Sequence, residues 1–295
     1  MFDFTKYIGF DGQQIMIVIG ALLFIVLTIS KLNKTGIGDK MVNKLIVICI
    51  ISAFTLVFGA FFMDSFWHAV YTGFFAKVPT LLKEQGLFAT IAAFDDEGGM
   101  TFLGALYGGL IGYVISYWFI FKHERHNLIH YLNIILPGLI LAHGLGRIGC
   151  FFVGCCTGIE APAPWGMTFP ATKDWTIEPG FPHPANDTVL PTNLYEAIFL
   201  IALFFILVFA VKKHQTKIYM VSYGTFRFLL EFLRGDSRGA VPIIKDIPFL
   251  SWVSPSQFLS FILLVIGILL FIFEDKLTNY AKKWDRPLKV KSKTN

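Results

Sequence analysis

His143-Gly144-Leu145-Gly146-Arg147-Ile148-Gly149-Cys150-Phe151-Phe152-Val153-Gly154-Cys155-Cys156-Thr157-Gly158 is the stretch whose reading decides the fold. It joins an apolar run to a proline-rich one. Three of the 4 cysteines and five glycines fall in it, around an arginine set among apolar residues. Upstream, Leu128 to Gly146 is apolar for about the 20 residues that a helix needs to cross a bilayer. Downstream, residues 150–191 read as loop. The stretch therefore reads as the floor of a site at a membrane face.

Working outward, similar runs recur. Hydrophobic residues make up 55% of the 295 positions, charged residues 15%, and there are 32 phenylalanines. A chain of that composition has no soluble core large enough to bury them, so the fold expected is an all-α polytopic membrane protein. Seven transmembrane helices are expected, at about 14–29, 45–63, 101–121, 128–146, 193–211, 218–233 and 257–273, followed by a basic tail over 274–295. They form one integral membrane domain, and no internal repeat is visible. Pro137-Gly138 is expected to kink the fourth span. Residues 64–98 are mixed and aromatic and read as interfacial helix and loop, with Trp67 and His68 in an interfacial belt. Met1 to Asp11 lacks the basic start of a cleaved signal, so the first span reads as retained.

Lysine and arginine concentrate on one side of these spans. The side holding loops 31–44, 122–127 and 212–217 and the tail carries 16, and the opposite side carries 7. Positive residues stay cytoplasmic, which puts the N-terminus outside, the C-terminus inside and the signature at the outer face, where the loops would form a small head region. The formal net charge of +5 lies in these short clusters, so topology accounts for it and no nucleic-acid partner is expected. His123, His126 and His130 read as polar turn residues, and the sequon at Asn186 carries no weight.

Charges inside spans are costly and need a partner or a task. There are four: Arg147, Glu196, Arg227 and Glu231. Arg227 and Glu231 stand four apart on one helix face, and Arg234 is expected to extend that face. They read either as a self-neutralising pair or as a polar stripe that holds an anion. Arg147 has no acid one turn away, so its partner must come from another span or from a ligand. A phosphate suits it, because a guanidinium offers a planar two-donor fork and stays charged when buried.

Gly144 to Gly149 matches the pattern GxGxxG, yet no strand precedes it, so the dinucleotide reading is set aside. Its glycines fit close helix approach or a backbone lining a headgroup site. The cysteines allow three readings: a soft-metal site of Cys150, Cys155 and Cys156 with His143, a Cys150–Cys155 disulfide, or reduced thiols packed round a cavity. His143, Arg147 and Cys150 share one helix face if the helix continues that far.

Four blocks in order resemble the prolipoprotein diacylglyceryl transferases of the bacterial plasma membrane. They are Gly98 to Ala105, Gly146 to Gly149 with Gly154 and Gly158, Pro191 to Glu196, and Tyr223 to Arg234, with Ser256 to Ser260 a weaker fifth. The resemblance implies seven spans and transfer of diacylglyceryl from phosphatidylglycerol to the lipobox cysteine thiol of a prolipoprotein signal peptide. Glycerol phosphate leaves, and no metal or nucleotide cofactor is implied. It makes Arg147 the phosphate-binding arginine and Arg227 and Glu231 paired charges of the site. Gly149, Cys150, Gly154, Tyr195, Glu196, Tyr223 and Arg234 are expected to contact substrate. The chain departs from the pattern at Leu103 and Leu190, where histidines are usual, at Asn193, and at Cys150 and Cys155. His143 is the expected replacement base. Outside this family, a related transferase with another acceptor, or a membrane thiol-redox or transport protein using Cys150, Cys155 and Cys156, remains open.

Overall fold

The computed structural model describes residues 12–86, 89–90, 101–168, 188–211, 213–235, 241, 247 and 250–285. The acidic run 95–97, the start of the first family block at 98–100, Asn186 and the tail beyond 285 lie outside them. Among the described residues the regular structure is helical apart from one short strand pair. Its helices are α1 (Gly12–Lys34), α2 (Asp39–Tyr71), α3 (Phe74–Glu84), α4 (Phe102–Ile120), α5 (Leu128–Val153), α6 (Thr192–Phe205), α7 (Gln215–Leu230) and α8 (Pro255–Lys283). Strands β1 (Met167–Thr168) and β2 (Thr188–Val189) pair antiparallel.

Among the described residues, six helical segments are long and apolar enough to cross a membrane: Gly12–Lys34, Asp39–Tyr71, Phe102–Ile120, Arg125–Val153, Thr192–Ala210 and Pro255–Lys283. The protein is therefore an all-α polytopic membrane protein. Large apolar side chains such as Phe54, Phe58, Phe119 and Phe209 stand exposed on these helices, as suits contact with acyl chains. The segment expected as the sixth span is α7, of 16 residues. At 1.5 Å per residue that is about 24 Å, short of a hydrocarbon core of about 30 Å.

The helices fall into two compact units. The first holds 1–36, 129–239 and 256–272. Here α1, α5, α6, α7 and the first part of α8 pack through glycines. A Cβ on Gly144 would lie 3.2 Å from Ile201 Cγ1, one on Gly149 2.9 Å from Gln13 Cα, and one on Gly224 2.8 Å from the Leu264 nitrogen. A polar knot ties four of these helices. Lys31 Nζ donates to the Asn133 carbonyl and to Gln215 Oε1, each at 3.0 Å. Asn133 Oδ1 in turn accepts the Thr216 amide at 2.8 Å and hydroxyl at 2.7 Å, capping α7. Gln215 Nε2 donates to the carbonyls of Leu207 (2.6 Å) and Val211 (2.9 Å). These lie at the π-helical end of the α6 segment, Ile206–Ala210, where regular helix bonding lapses.

The second unit holds 37–128, 240–255 and 273–295. Its α2 and α4 meet along a ridge of small residues. A Cβ on Gly59 would sit 2.5 Å from the Gly104 carbonyl oxygen, and Gly108 and Gly112 abut Thr55. Lipid supplies no hydrophobic drive for helix association, so such backbone approach is how α2 and α4 gain packing energy. Asp285 accepts the Arg125 amide at 2.7 Å and pairs with His126 Nδ1 at 2.6 Å.

Several boundaries differ from the sequence reading. Within the stretch read as helix and loop, residues 64–71 continue α2 and Phe74–Glu84 form α3, while Trp67 packs buried against the protein. The fourth span runs to Val153, not 146, and passes through Pro137 as continuous helix. It ends because Gly154 adopts φ 80°, a left-handed value that glycine takes at little cost, while Gly154 and Cys155 amides bond the Cys150 carbonyl at 2.9 and 3.1 Å.

Candidate active site

The site belongs wholly to the first unit. Because α5 stays helical past residue 150, His143, Arg147 and Cys150 do share a face. Gly144 and Ala197 let α5 and α6 approach closely, and this brings Arg147 to Glu196. Arg147 Nε lies 3.2 Å from Glu196 Oε2, with both side chains buried. The partner that Arg147 lacks in its own helix thus comes from another span. His143 Nε2 accepts from Arg147 Nε at 3.4 Å and stands 3.6 Å from Glu196 Oε1. Tyr223, from α7, donates its hydroxyl to Glu196 Oε1 at 2.7 Å and sets its ring edge-on to His143 at 5.3 Å. Tyr219 stacks on Tyr223 at 5.5 Å. Three helices therefore converge on one carboxylate.

Arg227 pairs with Glu231 at 2.7 Å, within one chain segment as expected. Arg234 does not extend that face. The α-helix closes at Leu230, Glu231–Leu233 form a single 3-10 turn, and Arg234 is extended. Its Nη1 donates to the Cys156 carbonyl at 3.0 Å instead. The change of helix type explains the correction: after Leu230 the 100° step per residue no longer holds.

The loop after α5 is pinned from three sides. Asn193 Nδ2 donates to the Cys155 carbonyl and Thr192 Oγ1 to the Cys156 carbonyl, both at 2.8 Å. Gly158 donates to the Leu190 carbonyl at 2.7 Å, and Ile159 to the Leu233 carbonyl at 3.0 Å. Gly158 fits here because a side chain would strike Leu190 and Leu233. Cys150, Cys155 and Cys156 are free thiols whose sulfurs all lie within 4.8 Å of one another. His143 is not part of this thiol group; its Nε2 faces the Arg147–Glu196 pair. Thiol hydrogen bonds from Cys150 and Cys155, then Arg234 and Arg147, hold the Cys156 thiol well below the ordinary value. Hydrogen bonding to Cys150 and Cys156 pushes Cys155 up.

The remaining candidates divide. Gly149 packs on Gln13 and Gly154 ends α5. Tyr195 is half-buried and donates to the Trp165 carbonyl at 3.1 Å, so its hydroxyl is engaged by the loop. Sequence reasoning missed Gln13, whose Nε2 points at Cys150 Sγ at 4.0 Å. It also missed the structural use of Thr192 and Asn193. A polar Thr-Asn pair after a proline at a helix start was the available signal.

A family model described as "Prolipoprotein diacylglyceryl transferase" matches residues 13–273. A phosphatidylglycerol–prolipoprotein diacylglyceryl transferase of Clostridium tetani is 29% identical over 265 residues, covering 88% of this chain and 91% of the relative. Transferase 2 of Clostridium perfringens is 35% identical over 182 residues, 60% of this chain and 63% of its own length. A Dehalococcoides mccartyi transferase is 26% identical over 183 residues, 60% and 64% of the two chains. The match thus spans nearly all of the first relative and just under two thirds of the other two.

Proposed function

The chain belongs to the prolipoprotein diacylglyceryl transferase family, and on that premise we propose that it moves diacylglyceryl from phosphatidylglycerol to the lipobox cysteine of a prolipoprotein. It works as a multi-pass protein of the bacterial plasma membrane. The observation that carries this reading is the buried Arg147–Glu196 pair, with His143 and Tyr223 on it. A site that holds a phosphodiester in an apolar setting needs a permanent cation kept in place by a carboxylate that is itself oriented. Membership also displaces the redox and transport readings.

The geometry supports an assignment of roles. Arg147 presents its fork to the donor's phosphate, and Glu196 fixes the guanidinium through Nε. Tyr223 fixes Glu196. Arg227 lies on the same helix as Tyr223, one turn on, and with Glu231 as its local counter-charge it adds positive potential for the departing phosphate. The acceptor sulfur bonds to the glycerol carbon, the carbon–oxygen bond to phosphate breaks, and the electron pair leaves on glycerol phosphate. His143 takes the thiol proton, and the Glu196 carboxylate 3.6 Å away offsets the charge it gains. Preorganised charge at the leaving group supplies most of the rate, and the base on the order of a hundredfold.

The charge distribution supports an outer-face site. The lysines and arginines favour seven crossings with the N-terminus outside and the C-terminus inside, α7 then being a short sixth crossing. The signature end of α5, the β1–β2 pair and the 234–256 segment would then share the outer side, and 274–295 would be the cytoplasmic tail of one transferase domain. The test is rescue of a strain depleted of its own transferase, scored by lipidation of a reporter lipoprotein. The wild-type chain is expected to restore it and Arg147→Ala to abolish it. No lipidation by an inserted wild-type chain overturns the reading.

A further inference from the structure

The reaction as derived uses none of the three thiols gathered at the end of α5. Cys150 stands in the last turn of the helix, and the left-handed Gly154 and Cys156 (φ 80° and 61°) fold the chain back so that Cys155 and Cys156 meet it. All three sulfurs fall within 4.8 Å of one another. Thiolates on a tetrahedral zinc, at about 2.3 Å each, stand roughly 3.8 Å apart. The cluster therefore needs only a small contraction to hold an ion. Its backbone is set by Asn193, Thr192 and Arg234, each bonding a carbonyl of Cys155 or Cys156. Each of the three cysteines is half-buried, reachable rather than sealed in a core.

Charge points the same way. Three thiolates round a divalent cation leave one negative charge. Arg147 acts electrostatically on Cys150 and Cys156, and Arg234 on Cys156, so that charge is met. Gln13 Nε2, an N–H donor, is directed at Cys150 Sγ, the kind of outer contact that steadies a sulfur ligand. Soft sulfur donors select zinc or copper(I) over magnesium or calcium. Among the described residues the group has three ligands, and three protein ligands with an open fourth position is the arrangement of catalytic rather than structural zinc.

We propose that Cys150, Cys155 and Cys156 form a trithiolate site for one zinc ion whose fourth position takes the acceptor cysteine of the prolipoprotein. The second half rests on the transferase reading; the first does not. A thiol bound to zinc gives up its proton, which passes to His143, the base of the proposed reaction. The zinc-bound thiolate then forms the carbon–sulfur bond as the carbon–oxygen bond breaks, and its electron pair goes to the glycerol phosphate beside Arg147. The thioether product is neutral and a weak ligand, so it leaves and the position reopens. The site would thus supply thiolate where Leu103 and Leu190 stand in place of the family's usual histidines.

The test uses the purified full-length chain, reduced and exposed to zinc, then to cobalt(II). One zinc per chain is expected by elemental analysis. Cys150→Ser, Cys155→Ser and Cys156→Ser should each weaken retention by more than about tenfold, while Cys49→Ser should not. Zinc should also slow alkylation of the three wild-type thiols at least about tenfold, a readout that does not depend on any variant folding. The cobalt form should show sulfur-to-metal charge-transfer absorption that shifts with a lipobox cysteine peptide and not with its serine counterpart. A wild-type chain that keeps no metal, or whose thiols react at the same rate with and without zinc, overturns the site. Charge transfer dominated by copper(I) in competition overturns the choice of zinc, and a cobalt spectrum indifferent to the cysteine peptide overturns the open position. Arg147→Ala should keep the metal and lose transfer. A wild-type chain that binds zinc yet transfers no lipid would sink the transferase reading while leaving the metal site standing.

Discussion

Removing the Glu196 carboxylate would leave the Arg147 guanidinium in an apolar bundle without the anion 3.2 Å from its Nε. Breaking one side of such a pair costs about 3–5 kcal/mol. Glu196→Ala is thus expected to lower the melting temperature of the detergent-solubilised chain sharply as well as to abolish transfer. Tyr223→Phe removes only the 2.7 Å bond to the same carboxylate, a charged hydrogen bond worth about 1.5–3 kcal/mol. That variant should still fold, and its kcat should fall more than its KM rises if the tyrosine orients Glu196 rather than binding lipid. His143→Ala tests the base: a purified assay showing transfer at the wild-type rate would remove it from the mechanism. The weight of Arg147 was legible in the sequence because no acid lies one turn away. Its partner was not legible. Glu196 sits on a different helix, beyond a long loop, and only the packing of α5 on α6 decides that they meet.

At the scale of elements, the apolar runs located the helices and the glycines decided how close they come. A Cβ on Gly144 would already lie 3.2–3.3 Å from Ile201 and Leu200, closer than ordinary contact. Gly144→Val should therefore push α5 off α6 and separate Arg147 from Glu196. Activity should drop by a larger factor than the overpacking cost of about 1–3 kcal/mol implies for stability, as read by assay and thermal melting together. Gly108→Leu should disrupt the α2–α4 ridge, where even a Cβ meets the Thr55 carbonyl, and should show as loss of folded protein. The ridge residues Gly104, Gly108 and Gly112 lie four apart, a spacing that the sequence reading passed over. The ends of helices were less readable. Apolar content did not reveal that α5 continues to Val153, or that α7 tightens at Leu230 and frees Arg234 to reach the Cys156 carbonyl. Both ends are fixed by hydrogen bonds to loops distant in sequence.

For the whole molecule, the class was plain from composition, since 55% hydrophobic residues with 15% charged leave few soluble arrangements. The number of crossings turns on α7, where length and pattern disagree. Reporter fusions or impermeant thiol labelling at introduced cysteines should place loops 31–44 and 122–127 inside and residues after Cys156 outside. Labelling of both sets from the same face would reject the proposed topology.

The strand pair marks an evolutionary boundary in the chain. Met167 pairs with Val189 and Thr168 with Thr188, so the chain leaves and rejoins the site region through one narrow neck. Exchange of residues 169–187 that keeps this pairing is expected to leave the Arg147 cluster in place. A tag inserted there should leave turnover intact, and a foreign segment grafted there is the natural place to look for a changed choice of prolipoprotein.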